Sequence, residues 1–206
     1  MPAANPMVKL IDSRASGNAW KVRLLLRYLG IPYERETLDL TKGNHKTPRF
    51  EQKNPFRRIP VLELSDGFCL YESNAILMHL AKTTDLLPED PRKNSEVMAW
   101  LFYEQADLMR FLAYPRFYKI TNQAEKFASV IDHYLSLVDA NLGAVETKLV
   151  NGGWLAGDNL SIADFAMYPY IHLSPEGGYE LEKWPSIVSW LGRFEKLPGY
   201  QPLFAD

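Results

Sequence analysis

Three short stretches of this chain carry residues whose types and spacing suit the capture of a small charged ligand. Glu72-Ser73 precedes the apolar run Ala75-Ile76-Leu77, which reads as a helix. The first N–H groups of a helix have no intrahelical partner, so an acid and a hydroxyl there form a receptor for an amine and an anion. Ile59-Pro60 opens the strand Ile59-Pro60-Val61-Leu62. A proline at a strand start leaves the preceding backbone free to pair with something else. Backbone pairing plus zwitterion capture describes a site for a small peptide. The third stretch, Ser13-Arg-Ala-Ser16-Gly17-Asn18, ends at another helix start. A hydroxyl, an amide and free N–H groups converging there stabilise an anion, and a thiol held there loses its proton more readily. Each stretch also has a plainer reading. Ser16 and Asn18 are common helix caps, Glu72-Ser73 can be a cap, and Ile59-Pro60 can be an ordinary strand start.

These residues need elements to position them. Residues 7–12 alternate well enough for a strand. From Asn18 to Leu29 the apolar residues Trp20, Val22, Leu25, Leu26 and Leu29 recur at helical spacing, and Gly30 ends the helix. Pro32 leads into a strand over Tyr33 to Leu40. A polar, basic stretch over 41–58 holds at most one short helix. A hairpin follows, its second strand Phe68-Cys69-Leu70, and then a helix from Ser73 to about Lys82. The order β-α-β-α-β-β-α is that of a thioredoxin-like domain. Pro88 and Pro91 among acids mark 84–94 as a linker. Beyond it, Val97 to Tyr118 and Ala124 to Leu149 read as helices. Ser161-Ile-Ala-Asp164 is a capping-box start flanked by Leu160 and Phe165 as a hydrophobic staple, and Trp184-Pro185-Ser186 opens a last helix closed by Pro198-Gly199. The expected fold class is thus α/β thioredoxin-like followed by all-α, with domains at 1–83 and 95–206.

Composition bounds the function. The 206 residues are 47% hydrophobic, enough for a proper core, and the net charge of −2 offers no global field for nucleic acid or a membrane. The single cysteine, Cys69, rules out an intramolecular disulfide framework and a cysteine-based zinc knuckle; it reads as a buried small hydrophobe. His79, His133 and His172 lack metal-ligand spacing and read as structural, so no metal is expected. No apolar run is long enough to span a membrane. Residues 1–6 show no signal-peptide pattern, and a cytoplasmic location is expected.

Ser16-Gly17-Asn18 with Trp20-Lys21-Val22-Arg23, together with Ile59-Pro60, Glu72-Ser73 and Leu160-Ser-Ile-Ala-Asp164, resembles the cytosolic glutathione transferases over nearly the whole chain. The serine-type zeta class is similar at the first triplet, as is the bacterial nu class, which has threonine-proline-asparagine there. No tyrosine follows the first strand and no cysteine starts the first helix, against the tyrosine-type and cysteine-type classes. The resemblance implies that glutathione is the co-substrate. It implies that the Ser16 hydroxyl donates to the glutathione sulfur with Asn18 beside it, Ser13 being the alternative hydroxyl. It also implies a cis Ile59-Pro60 bond whose Ile59 backbone pairs with the cysteinyl residue, and a Glu72-Ser73 pair holding the γ-glutamyl amine and carboxylate.

His45 and Arg58 lie where relatives place polar side chains near the glycine carboxylate, although His45 equally reads as a solvated loop residue. Lys42, Lys46, Arg49, Lys53, Arg57 and Arg58 make 42–58 basic, which favours a ligand with two carboxylates; aromatics are too sparse there for a nucleic-acid platform. The acceptor-substrate site is expected from Tyr103, Arg110, Phe111, Tyr114, Phe117 and Tyr118 of the second domain. Such an aromatic set also reads as core or subunit interface. The expectation is a detoxification-type transferase, a homodimer whose glutathione thiolate attacks a small electrophile. The alternatives are glutathione-dependent disulfide reduction and a non-catalytic interaction protein on the same fold.

Overall fold

The computed structural model describes residues 7–205. The expectation on a signal peptide falls on residues 1–6, outside the described residues. The described residues divide into two compact units, one formed by 7–83 with 197–205 and the other by 84–196.

The first unit is thioredoxin-like. Its strands are β1 (Val8–Asp12), β2 (Tyr33–Thr37), β3 (Val61–Glu63) and β4 (Cys69–Tyr71), and its helices are α1 (Gly17–Tyr28), α2 (Pro48–Glu51) and α3 (Ser73–Ala81). The sheet order is β2-β1-β3-β4. β1 runs parallel to β2 and antiparallel to β3, with Ile11 opposite Val61 and Leu10 opposite Leu62. Side chains alternate across a strand, and both faces of this sheet are covered. Val8, Leu10 and Leu62 pack against Val22 and Leu26 of α1 and Ile76 of α3, while Ile11 and Val61 pack against Phe50 of α2.

In this two-sided central strand Val8, Leu10 and Ile11 supply the apolar contacts, while Lys9 is half-buried and pairs with Glu34. Asp12 at its end is fully buried and neutralised. Arg23 Nε lies 3.3 Å from its carboxylate, Arg35 Nε donates to both of its oxygens at 3.1 and 3.0 Å, and the Thr37 hydroxyl donates at 3.3 Å. Asp12 is the last residue before the Ser13–Asn18 stretch, so this cluster fixes where that stretch begins.

Residues 199–205 belong to this unit as well, although the sequence places them in the helical half. Trp20 Nε1 donates to Gln201 O at 2.9 Å, Arg23 donates to Leu203 O at 3.0 Å, and Leu203 is buried. Gly199 sits at φ 73°, and a Cβ there would lie 2.8 Å from Arg27 O, so glycine alone permits the approach.

The second unit is all helical. α4 (Pro91–Tyr103) passes through a π-helical turn, Glu104–Leu108, into α5 (Met109–Ile120); α6 (Ala128–Leu149), α7 (Ile162–His172), α8 (Ser174–Gly177) and α9 (Pro185–Phe194) follow. α7 is buried along nearly its whole length and packs against α4, α5 and α9. Its capping box is formed as the sequence suggests. Asp164 accepts from the N–H and hydroxyl of Ser161 at 3.0 and 3.2 Å, from Leu155 N–H at 3.0 Å and from Trp190 Nε1 of α9 at 3.0 Å.

Several local expectations are corrected. α4 begins at Pro91, inside the stretch read as linker, because Asp90 caps it through Arg92 and Lys93 N–H and proline is well suited to a first helical position. β2 ends at Thr37, and the basic stretch holds a 3₁₀ turn at Asn44–Lys46 as well as α2. Cys69 is half-buried rather than buried, since β4 is an edge strand.

Candidate functional site

The start of α1 is built by local bonds. Ser16 N–H donates to Ser13 O at 3.1 Å, closing a turn directly after Asp12. Ser16 then caps the helix, with its Oγ accepting from Ala19 N–H at 3.2 Å. Capping uses a lone pair and leaves the Ser16 proton free to donate. The cap and the anion-binding role are therefore compatible, not rivals. Ser13 and Ser16 are both half-buried, and Arg23 Nη2 steadies the turn between them by donating to Arg14 O at 3.4 Å.

The start of α3 is the second feature. Glu72 has φ 67° and ψ 116°, a conformation that L-residues rarely adopt, and its side chain makes no capping bond. The exposed carboxylate is thus held at the helix mouth by backbone that costs free energy to keep, a pattern that clusters at ligand sites. Ser73 is buried. Its hydroxyl donates to Asn18 Oδ1 at 3.2 Å and accepts from Lys21 Nζ at 3.5 Å. Asn18 and Lys21 are one turn apart on α1, which puts both on the face packed against α3. Thus Asn18 is engaged with Ser73.

Lys21 is absent from the sequence-based set although it is fully buried beside Ser73. The signal was its i, i+3 spacing from Asn18 on a helix buried around most of its circumference.

The Ile59–Pro60 peptide is cis, as the resemblance implied. Neither the Ile59 N–H nor its C=O makes a hydrogen bond among the described residues, which leaves an unpaired donor and acceptor directly before β3. The loop leading in is shaped by buried Asn54, which donates to Arg58 O at 2.7 Å and accepts from Phe56 N–H at 2.9 Å. The Arg58 side chain is exposed. His45 is half-buried, with Nδ1 enclosed and without a hydrogen-bond partner among the described residues; burial, and then the Lys46 charge, hold its pKa below the usual value. Of the other basic residues, Lys53 pairs with Glu63 and Arg57 with Glu51, both at 2.5 Å, which reduces the local positive field.

In the second unit the acceptor candidates separate. Tyr114 stacks on Tyr118 and Tyr134, and Tyr118 on Phe127, with ring centroids 4.2–6.1 Å apart; Phe111 meets Tyr134 tilted at 5.7 Å, and Phe117 joins through Tyr118 at 5.9 Å. Tyr114 and Phe117 remain exposed and offer an apolar surface. Arg110 is exposed. The Tyr103 hydroxyl is used structurally, donating to Asn141 at 2.9–3.0 Å. Among the described residues no group of three His, Cys, Asp or Glu is placed to hold a metal ion, and no helix is long and apolar enough to cross a membrane.

Comparison with known proteins bears on the same features. Residues 6–82 match the family model for the glutathione S-transferase N-terminal domain, and residues 98–198 match that for its C-terminal domain. The fold is similar to a glutathione S-transferase structure from Pseudomonas fluorescens, 37% identical, TM-score 0.94, covering 97% of this chain and all of that one. It is also similar to Ure2p in complex with glutathione, 27% identical, TM-score 0.84, covering 97% of each chain. Among curated proteins, the chain is similar to the disulfide-bond oxidoreductase YfcG of Escherichia coli, 29% identical over 88% of this chain and 87% of that one. It is 26% identical to the transcriptional regulator URE2 of Saccharomyces cerevisiae over 92% of this chain and 65% of that protein.

Proposed function

We propose that this chain, which belongs to the glutathione S-transferase family, binds glutathione in its first unit and activates the thiol for attack on a small electrophile. Ile59 would pair with the cysteinyl backbone, and Glu72 and Ser73 would hold the γ-glutamyl amine and carboxylate. His45 and Arg58 would face the glycine carboxylate. The observation that carries the reading is Ser16: its oxygen is held at a helix N-terminus by the Ala19 N–H, and its proton remains to donate. Donated to the sulfur, that proton stabilises the thiolate without leaving the serine, while the thiol's own proton passes to solvent. The thiolate then forms a bond to the electrophilic carbon as the leaving group departs with its electron pair. Phe111, Tyr114 and Phe117 are the proposed acceptor-binding surface.

A free thiol of this kind titrates near about 8.5. One charge-assisted hydrogen bond and the helix terminus supply roughly one to two units of depression. Glutathione binding by calorimetry tests the reading, followed by the thiolate pKa of the complex from its ultraviolet absorbance. Ser16→Ala is expected to raise that pKa by about one unit and Ser13→Ala to leave it unchanged. An unchanged pKa in Ser16→Ala removes the assigned role.

A second reading, reduction of glutathione mixed disulfides, is favoured by the likeness to the E. coli disulfide-bond oxidoreductase. There the thiolate attacks a sulfur and a thiolate leaves. Turnover of mixed disulfides but not of electrophiles selects it. Glutathione binding without turnover of either substrate class selects an interaction role, to which the likeness to the transcriptional regulator URE2 and to glutathione-bound Ure2p points.

We further propose a homodimer. Phe56 is 57% exposed on a polar loop, with one edge against Tyr71 at 5.4 Å, and offers its ring to a partner subunit. Light scattering at micromolar concentration is expected to give a dimer that Phe56→Ala weakens. A monomeric wild type overturns the assembly, and a dimer indifferent to Phe56→Ala overturns the role of Phe56.

A further inference from the structure

Two residues of α1 meet the hydroxyl of one residue of α3, one donating to it and one accepting its proton. Lys21 Nζ lies 3.5 Å from Ser73 Oγ, and Ser73 Oγ lies 3.2 Å from Asn18 Oδ1. An ammonium group can only donate, so Ser73 accepts from Lys21. A serine hydroxyl has one proton, and here it goes to the amide oxygen of Asn18. Both Lys21 and Ser73 are buried, where each such bond matters more than it does in water.

We propose that the Ser73 hydroxyl proton is contested between Asn18 and an incoming γ-glutamyl carboxylate, so that filling the γ-glutamyl subsite releases the Asn18 amide toward the sulfur. The inference rests on the glutathione reading above. It adds a rule of specificity that the separate subsites do not contain. A carboxylate is a stronger acceptor than a neutral amide, so the ligand wins the proton. Lys21 is the positioning residue: by donating to the Ser73 oxygen it orients the hydroxyl so that its proton points away from Lys21 and can be handed over. Asn18 keeps both N–H donors while its Oδ1 is held by Ser73, and release lets the side chain turn them toward the sulfur that Ser16 would meet with an O–H. A thiol without the γ-glutamyl group leaves Asn18 held by Ser73. The site then discriminates by failing to complete its sulfur-binding set, as well as by losing contacts.

The coupling makes a prediction opposite in sign to a simple contact. The probe is γ-glutamyl-2-aminobutyryl-glycine, which is glutathione with a methyl group in place of the thiol. It has no sulfur for Asn18 to serve, so Asn18 acts on it only as a competitor for Ser73. By calorimetry, Asn18→Ala is expected to bind this analogue about 2–10-fold more tightly than wild type, the value of one net hydrogen bond. In a Ser73→Ala background, where no proton is contested, Asn18→Ala is expected to change nothing. With glutathione itself, Asn18→Ala is expected to raise the thiolate pKa. Unchanged or weaker binding of the analogue by Asn18→Ala overturns the proposal, as does a gain that persists in the Ser73→Ala background. If wild type binds neither the analogue nor glutathione, the glutathione reading itself falls. Binding of both without the Asn18 effect removes only the shared proton.

Discussion

Asp164→Ala is expected to destabilise the second unit by about 3–5 kcal/mol, the range for breaking a buried charged hydrogen-bond network. The fully buried carboxylate receives four donors: the Ser161 N–H and hydroxyl, the Leu155 N–H and the Trp190 indole. Removing it strands donors from the start of α7, the loop before it and α9 together. Chemical denaturation followed by near-ultraviolet dichroism of the tryptophans measures the loss; a change under about 1 kcal/mol shows that the network is not what joins these elements.

The same group sets a pH dependence. Burial outweighs its four donors and raises the Asp164 pKa to about 6. Its folded pKa then exceeds its unfolded value, so the folded state holds the proton more tightly. The contribution to stability is present in full below about pH 4 and declines as pH rises through about 6, by roughly 3 kcal/mol. Asp164→Asn cannot titrate, so the difference in stability between wild type and this variant is expected to shift in favour of wild type as pH falls from 6 to 4. No such shift means that the group titrates normally.

Asp12→Ala is the second large effect, with an expected loss of about 3–5 kcal/mol from the first unit. It leaves the fully buried Arg23 without the carboxylate that neutralises it, and takes the same acceptor from Arg35 and Thr37. Because Asp12 ends β1 where the Ser13–Ser16 turn begins, glutathione affinity is expected to fall along with the melting temperature. Replacing the pair together, Asp12→Leu with Arg23→Met, is expected to be far milder for stability, because an apolar pair has no charge left over. If the single variant is no worse than the double one, the ion pair is not the source of the loss.

The thioredoxin-like order and the capping box were legible because they rest on local rules. Helical spacing from Trp20 to Leu29 and the Ser161–Asp164 step are properties of neighbouring residues. The cis Ile59–Pro60 bond came from family resemblance, since spacing alone cannot distinguish isomers. What could not be read was contact between distant residues. Nothing local says that Asn18 meets Ser73, 55 positions on, or that Lys21 lies under both. The Tyr103 hydroxyl looked available for a substrate until α6 brought Asn141 against it. Pro91 was misread because proline both breaks and starts helices, and the Asp90 cap decided between them.

The return of residues 199–205 to the first unit has a consequence for biogenesis. A chain is made from its N-terminus, so the second unit, 84–196, emerges complete before the segment that Trp20 and Arg23 await. The first unit is discontinuous, with the second inserted into it. While the ribosome is still translating, α1 has no Leu203 carbonyl for Arg23 and no tail over Trp20. A chain cut before residue 199 would thus keep every residue of the helical unit and still lack the segment that covers Trp20 and satisfies Arg23 in the other.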